Sequence, residues 1–126
     1  MKVALQLSIK LPNSPGALAR MSDMLRSADV NIEALFCTRE SEETSVHVVV
    51  DDPETAKMVL RDIGEVSTKD VLAIPIKNKP GAIANIARVC AGQSINIEHI
   101  YATSFGKDAM VYLDVNDLEK AREVLK

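Results

Sequence analysis

Two short stretches hold residues whose types and spacing suit binding chemistry: Asn13-Ser14-Pro15-Gly16 and Asn78-Lys79-Pro80-Gly81. Each is followed by a small apolar run, Ala17-Leu18-Ala19 and Ala82-Ile83-Ala84. A turn that feeds a helix places free backbone N–H groups and the positive end of the helix dipole at one point, which favours a carboxylate. Gly16 and Gly81 carry no side chain to block close approach. Asn13 and Asn78 each offer a donor and an acceptor, which suits an ammonium and a carboxylate on one small ligand. Asn-x-Pro-Gly is also simply a good turn sequence, and spacing alone leaves both readings open.

Other chemistry-bearing residues form no catalytic set. His47 and His99 fall in strands, and neither lies at a motif spacing from a Ser or Cys. Asp51 and Asp52 resemble a carboxylate pair, yet Asp52-Pro53-Glu54 is an ordinary helix-capping pattern. Glu40, Glu42 and Glu43 read as a solvated turn. Cys37 and Cys90 lack CxxC spacing and are expected to be free, buried thiols. No GxGxxG or P-loop pattern occurs. No enzymatic activity, metal or cofactor is expected.

The elements that position the two turns repeat. Pro15 and Pro80, like Asn31 and Asn96, lie 65 residues apart, which points to internal duplication. Val3, Leu5, Leu7, Ile9 and Leu11 alternate with polar or small residues, so the first strand has one buried face. Leu18, Met21, Leu25 and Ala28 form a helix stripe. Ser14 is expected to cap this helix, with Pro15 in its first position. Val30–Thr38 and Val46–Val50 read as strands, the second central in its sheet because it is continuously apolar. A helix starts at Asp52-Pro53, and Val66–Asp70 reads as a short fourth strand. The second copy follows with a strand at Leu72–Ile76 and a helix face of Ile83, Ile86, Ala87 and Cys90, ended by Gly92. Strands at Ile95–Tyr101 and Met110–Val115 come next, then a helix capped by Asp117.

The fold class is therefore α+β, two βαββαβ ferredoxin-like units in tandem. The expected domains are residues 1–70 and 71–126. No last strand follows the final helix of the second copy, so Leu72–Ile76 is expected to be a bare sheet edge, which Pro75 would suit. A unit of roughly 60 residues is marginal alone, so the halves should share a core or sheet, and a homodimer is expected.

The net charge of −3 argues against a nucleic-acid or membrane partner. No apolar run approaches the roughly 20 residues of a spanning helix. The alternating start, MKVALQLSIKL, lacks the apolar region of a signal peptide, so a cytoplasmic location is expected. Phe36, Phe105, Tyr101 and Tyr112 do not form the base-stacking pattern of an RNA-recognition sheet.

On the turns Asn13–Ala19 and Asn78–Ala84 and the strand entries Val30-Asn31-Ile32 and Ile95-Asn96-Ile97, the chain resembles the ACT domain family. It is similar to stand-alone proteins of two ACT repeats without a catalytic domain. The resemblance implies strand order 4-1-3-2 with both helices on one face, and side-by-side pairing of units. It implies a free amino acid as effector, held between the strand–helix loop and a facing unit, and a partner enzyme that is modulated. The implied ligand contacts are Asn13, Gly16, Ala17 and Leu18 with Asn78, Gly81, Ala82 and Ile83. Asn31, Ile32, Asn96 and Ile97 join them through backbone groups. Ser14 departs from the charged residue that Lys79 supplies. The alternative is a ligand-free regulatory subunit similar to the small subunit of acetolactate synthase.

Overall fold

The computed structural model describes residues 1–126 as six strands and four helices. In chain order these are β1 (Lys2–Pro12), α1 (Ala17–Ser27), β2 (Ile32–Glu40), β3 (Glu43–Val50), α2 (Pro53–Leu60), β4 (Val66–Lys77), α3 (Ala82–Gly92), β5 (Ile97–Phe105), β6 (Asp108–Val115) and α4 (Leu118–Val124). They form two compact units, Leu5–Lys69 and Asp70–Lys126 with Met1–Ala4.

In the first unit β3 lies between β2 and β1, and β4 begins beside β1. This is the 4-1-3-2 order, with every ladder antiparallel between β1, β3 and β2. Alternation decides which face is buried. Leu7, Ile9 and Leu11 of β1 and Val46, Val48 and Val50 of β3 turn to the helices, where they meet Met21, Leu25, Ala56 and Leu60. Each such aliphatic side chain contributes about 1.5–3 kcal/mol by leaving water. The second unit repeats the plan with Leu72, Ile74, Val111, Leu113 and Val115 against Ile86, Cys90 and Ala121.

The two shorter helices start by the same device. Asp52 accepts a hydrogen bond from the Thr55 backbone N–H at 3.2 Å, and Asp117 accepts one from Lys120 N–H at 3.1 Å. Each satisfies a donor that the first helical turn leaves without a partner. The longer helices start differently from expectation. Ser14 does not cap α1, and Pro15 is not its first residue. The cap position is Gly16, in the left-handed region at φ 89°, and Gly81 matches it at φ 92°. Only glycine adopts that conformation without strain. At the far end, Gly92 is the last residue of α3, and the left-handed residue after it is Ser94, which corresponds to Asp29 after α1.

β4 also departs from expectation. Val66–Asp70 and Leu72–Ile76 are not two strands but one strand of 12 residues. Its first residues complete the first unit, and its remainder opens the second. Within residues 1–126 the last element of the second copy is α4. The vacant position is taken within that unit by the start of β1, because β4 has β1 on one side and β6 on the other. Leu72–Ile76 is therefore not an edge, and Val71, Leu72, Ala73 and Ile74 are all buried. The strand Lys2–Ala4 precedes its partner by more than 60 residues of sequence, a separation no local pattern reveals. The outermost strand of each unit is instead β2 or β5.

Candidate functional site

The turns ahead of α1 and α3 are built alike. Asn13 N–H donates to the Glu42 carbonyl at 2.8 Å, and Asn78 N–H to the Lys107 carbonyl at 2.9 Å. Both bonds tie the turn to the hairpin of its own unit. The asparagine side chains serve the same end: Asn78 Nδ2 donates to the Gly106 carbonyl at 3.0 Å, and Thr44 Oγ1 donates to Asn13 Oδ1 at 3.4 Å. Ala17 N–H donates to Ser14 O and Arg20 N–H to Gly16 O, with Ala82 to Lys79 and Asn85 to Gly81 in the second copy. The N–H groups of Leu18 and Ala19, and of Ile83 and Ala84, are left at the helix starts, where the dipole is positive. A cleft of about 370 Å³ opens at the first turn, lined by Pro12, Ser14, Gly16, Ala17 and Arg20. One of about 230 Å³ opens at the second, lined by Asn78, Lys79, Ala82, Ile83 and Thr103.

Asn31, Ile32, Asn96 and Ile97 lie elsewhere in their units. In the first unit Ile32 is in register with Val50, whereas Glu40 is in register with Glu43, beside Pro12. Asn31 thus sits near the C-terminal end of α1 and Gly16 at its start, separated by the roughly 16 Å length of an 11-residue helix. Within one unit, Asn13, Gly16, Ala17 and Leu18 come together, and Asn31 and Ile32 do not join them. The second unit divides in the same way. Asn31 is engaged in a closed pair of bonds: its N–H donates to Asp51 Oδ1 at 2.8 Å, and Asp51 N–H donates to its carbonyl at 3.1 Å. Asn96 makes the same pair with Asn116, at 3.0 and 3.2 Å. Asp51 and Asp52 therefore hold two different backbone segments. The Asp52 carboxyl lies below its ordinary range because the Thr55 hydroxyl and then the Thr55 N–H stabilise its charge.

Sequence reading missed the surface beside the turns. Leu18 and Ile83, expected in buried helix stripes, are 43% and 45% exposed. Leu35 and Ile100 are 40% and 39% exposed on the outermost strands. They point to the helix side of the sheet, since Leu35 is in register with Val48 and Ile100 with Leu113, but no helix extends over them. Cys37 shares that uncovered side and is exposed, contrary to expectation, whereas Cys90 is buried and its thiol is pushed up by desolvation. The available signal was the repeat itself, since Leu18 with Ile83 and Leu35 with Ile100 are separated by the duplication interval.

The histidines have structural surroundings. His47 Nδ1 lies 2.7 Å from Ser8 Oγ, and its ring stacks on Phe36 at 4.5 Å. His99 Nδ1 lies 2.8 Å from the buried carboxylate of Asp114. Tyr101 and Tyr112 stack on each other at 5.2 Å, so neither ring offers both faces to a base. The Tyr101 phenol is pushed up by burial, and further by the Asp114 charge and Tyr112. No helix is long and apolar enough to cross a membrane.

The chain is thus built of two ferredoxin-like units, each with a glycine-capped turn–helix start. The chain belongs to the ACT domain family: the model of the ACT domain pair matches residues 1–126. ACT domains are regulatory, and the match indicates no catalytic family. Among solved structures, protein BT0572 from Bacteroides thetaiotaomicron is 31% identical, with a TM-score of 0.92 over 98% of this chain and 86% of that one. The ligand-free regulatory subunit of aspartate kinase from Thermus thermophilus has a TM-score of 0.71 at 18% identity, over 99% of this chain and 95% of that one. A structure of aspartokinase alpha and beta subunits has a TM-score of 0.68 at 19% identity, with the same coverage of 99% and 95%. Those two likenesses concern the fold. No curated protein matches the chain.

Proposed function

We propose that this protein is a non-catalytic regulator that binds a free amino acid and self-associates through its outermost strands. In this reading a partner enzyme is modulated, as the kinship with ACT regulatory domains suggests. The observation that carries the reading is the recurrence, in both units, of a glycine-capped helix start together with exposed aliphatic residues on that helix and on the outermost strand, Leu18 and Leu35 in one and Ile83 and Ile100 in the other. An outermost strand with unpaired backbone groups is a template for pairing with another chain. Exposed aliphatic side chains next to it favour burial against a second copy.

Antiparallel pairing of equivalent edges reverses one unit against the other. The Gly16 end of one copy then approaches the Asn31 end of its partner. That arrangement unites the two groups of candidate residues that a single unit keeps apart. The carboxylate of an amino acid would lie against the N–H groups of Leu18 and Ala19, or of Ile83 and Ala84. Gly16 and Gly81 leave that approach open, with no heavy atom within 4 Å of where a Cβ would stand.

A thermal-shift screen of the free amino acids tests the reading. A true effector raises stability by RT ln(1 + [L]/Kd), about 2.7 kcal/mol at a hundredfold excess over Kd. The ligand-free regulatory subunit is the second reading, favoured by the engagement of Asn13 and Asn78 with the hairpins. A dimer that responds to no amino acid would establish it.

A further inference from the structure

The two outermost strands differ in charge. Along β2 the exposed positions alternate as Glu33, Leu35, Cys37 and Arg39. At the same places β5 carries Glu98, Ile100, Ala102 and Ser104. The first edge therefore has an acid near one end, a base near the other and apolar side chains between them. The second edge has only the acid. One sheet plan accepts both sets, so the fold does not require Arg39. Neither Glu33 nor Arg39 forms an ion pair within the chain, whereas Glu98 is already engaged there.

A strand that meets its own copy across a twofold axis runs antiparallel to it, and directly opposite residues share a face of the sheet. With the helices of both copies on the same side, one residue of β2 faces itself on the axis. An axis at Phe36 sets Glu33 against the partner's Arg39, Arg39 against the partner's Glu33, and Leu35 against the partner's Cys37. An axis at Leu35 would set Glu33 against the partner's Cys37, and an axis at Cys37 would set Leu35 against the partner's Arg39. Of these registers, the one at Phe36 matches both charges and keeps the apolar side chains together. The Phe36 ring is held by its stack on His47, with centroids 4.5 Å apart. Exposed ion pairs add little affinity, so these charges select the register, while burial of Leu35 and Cys37 favours association.

We propose that β2 pairs with β2 of a second copy about a twofold axis at Phe36, and that β5 takes no part in this pairing. The inference rests on the self-association proposed above and assigns to it one edge and one register. Cys37 then lies directly opposite Leu35. The two Cys37 residues are diagonal neighbours about 7–8 Å apart, too far for a disulfide.

Sedimentation equilibrium of the full chain tests the charges. Arg39→Glu sets like charges opposite each other on both sides of the axis, and should weaken the dimer at least about fivefold without changing the circular dichroism spectrum. Adding Glu33→Arg to that variant should restore the dimer to within about twofold. Air oxidation tests the register. Leu35→Cys should give a covalent dimer on a non-reducing gel, by bonding to the partner's Cys37, whereas the unmodified chain and Ala34→Cys should not. Unchanged affinity in Arg39→Glu, no recovery in the double variant, no covalent dimer from Leu35→Cys, or a covalent dimer from the unmodified chain or Ala34→Cys would overturn this register while leaving self-association standing. A monomeric unmodified chain would overturn both.

Discussion

Leu35 and Ile100 occupy the same position in the two copies, each on the outermost strand of its unit, and are exposed to 40% and 39%. Neither completes a core, so a charge at either place should leave the monomer folded. We expect Leu35→Glu with Ile100→Glu to sediment as a monomer at low micromolar concentration with an unaltered circular dichroism spectrum. The unmodified chain should sediment as a dimer that buries more than roughly 1,000 Å². A dimer that persists in the double variant would remove these edges from the interface.

Asn78 separates a structural from a ligand-binding role. Its side-chain bond to the Gly106 carbonyl is exposed to solvent, and a net hydrogen bond contributes about 0.5–1.5 kcal/mol. Asn78→Ala should lower stability within that range in urea titration. If an amino-acid effector is found, the same variant reports whether Asn78 also touches it, since tying the turn alone would leave Kd nearly unchanged.

Gly81 tests the left-handed cap. Space is open around it, so Gly81→Ala meets no clash, only the conformational penalty of φ 92°. That penalty is about 1–2 kcal/mol. Gly81→Asn should cost less, because asparagine enters the left-handed region more readily. Equal midpoints for Gly81→Ala and the unmodified protein would show that the turn relaxes to another conformation.

The Asp52 cap makes a pH prediction. Its folded pKa lies below the ordinary 3.8, through the Thr55 hydroxyl and N–H. The carboxylate therefore stabilises the fold above the unfolded value, and that contribution is lost as pH falls through the folded value. The Tm difference between the unmodified protein and Asp52→Ala should be full at pH 6 and shrink toward pH 2. A difference independent of pH would mean that the side chain acts through something other than its charge.

Leu113 probes the second core. It is fully buried among Leu72, Ile74 and Ile86, and a Leu→Ala change in such a place costs about 2–5 kcal/mol. Leu113→Ala should lower Tm by at least several degrees in calorimetry. A shift of a degree or less would mean that the second core collapses around the missing side chain.

Much of this protein was legible along the chain. The alternation of Leu7, Ile9 and Leu11, the cap at Asp52 and its counterpart at Asp117 are local, set within a few residues by strand pleat or by the first turn of a helix. The 65-residue interval carried the comparison of the two turns. What was not legible depends on chain segments far apart in sequence. Periodicity places Leu18 on the same helix face as Met21 and Leu25, but only the sheet's extent decides that Leu18 stays exposed while the other two are buried. The same holds for Leu35 and Cys37, which point to the helix side of a strand no helix covers. The sharpest case is β4. A pattern of two short strands is equally compatible with one long strand, and hydrogen bonding to β1 and β6 selects the long one. That choice lets Lys2–Ala4 stand where the second copy has no strand of its own, because backbone N–H and C=O groups beside a buried strand must find partners wherever in the chain these lie.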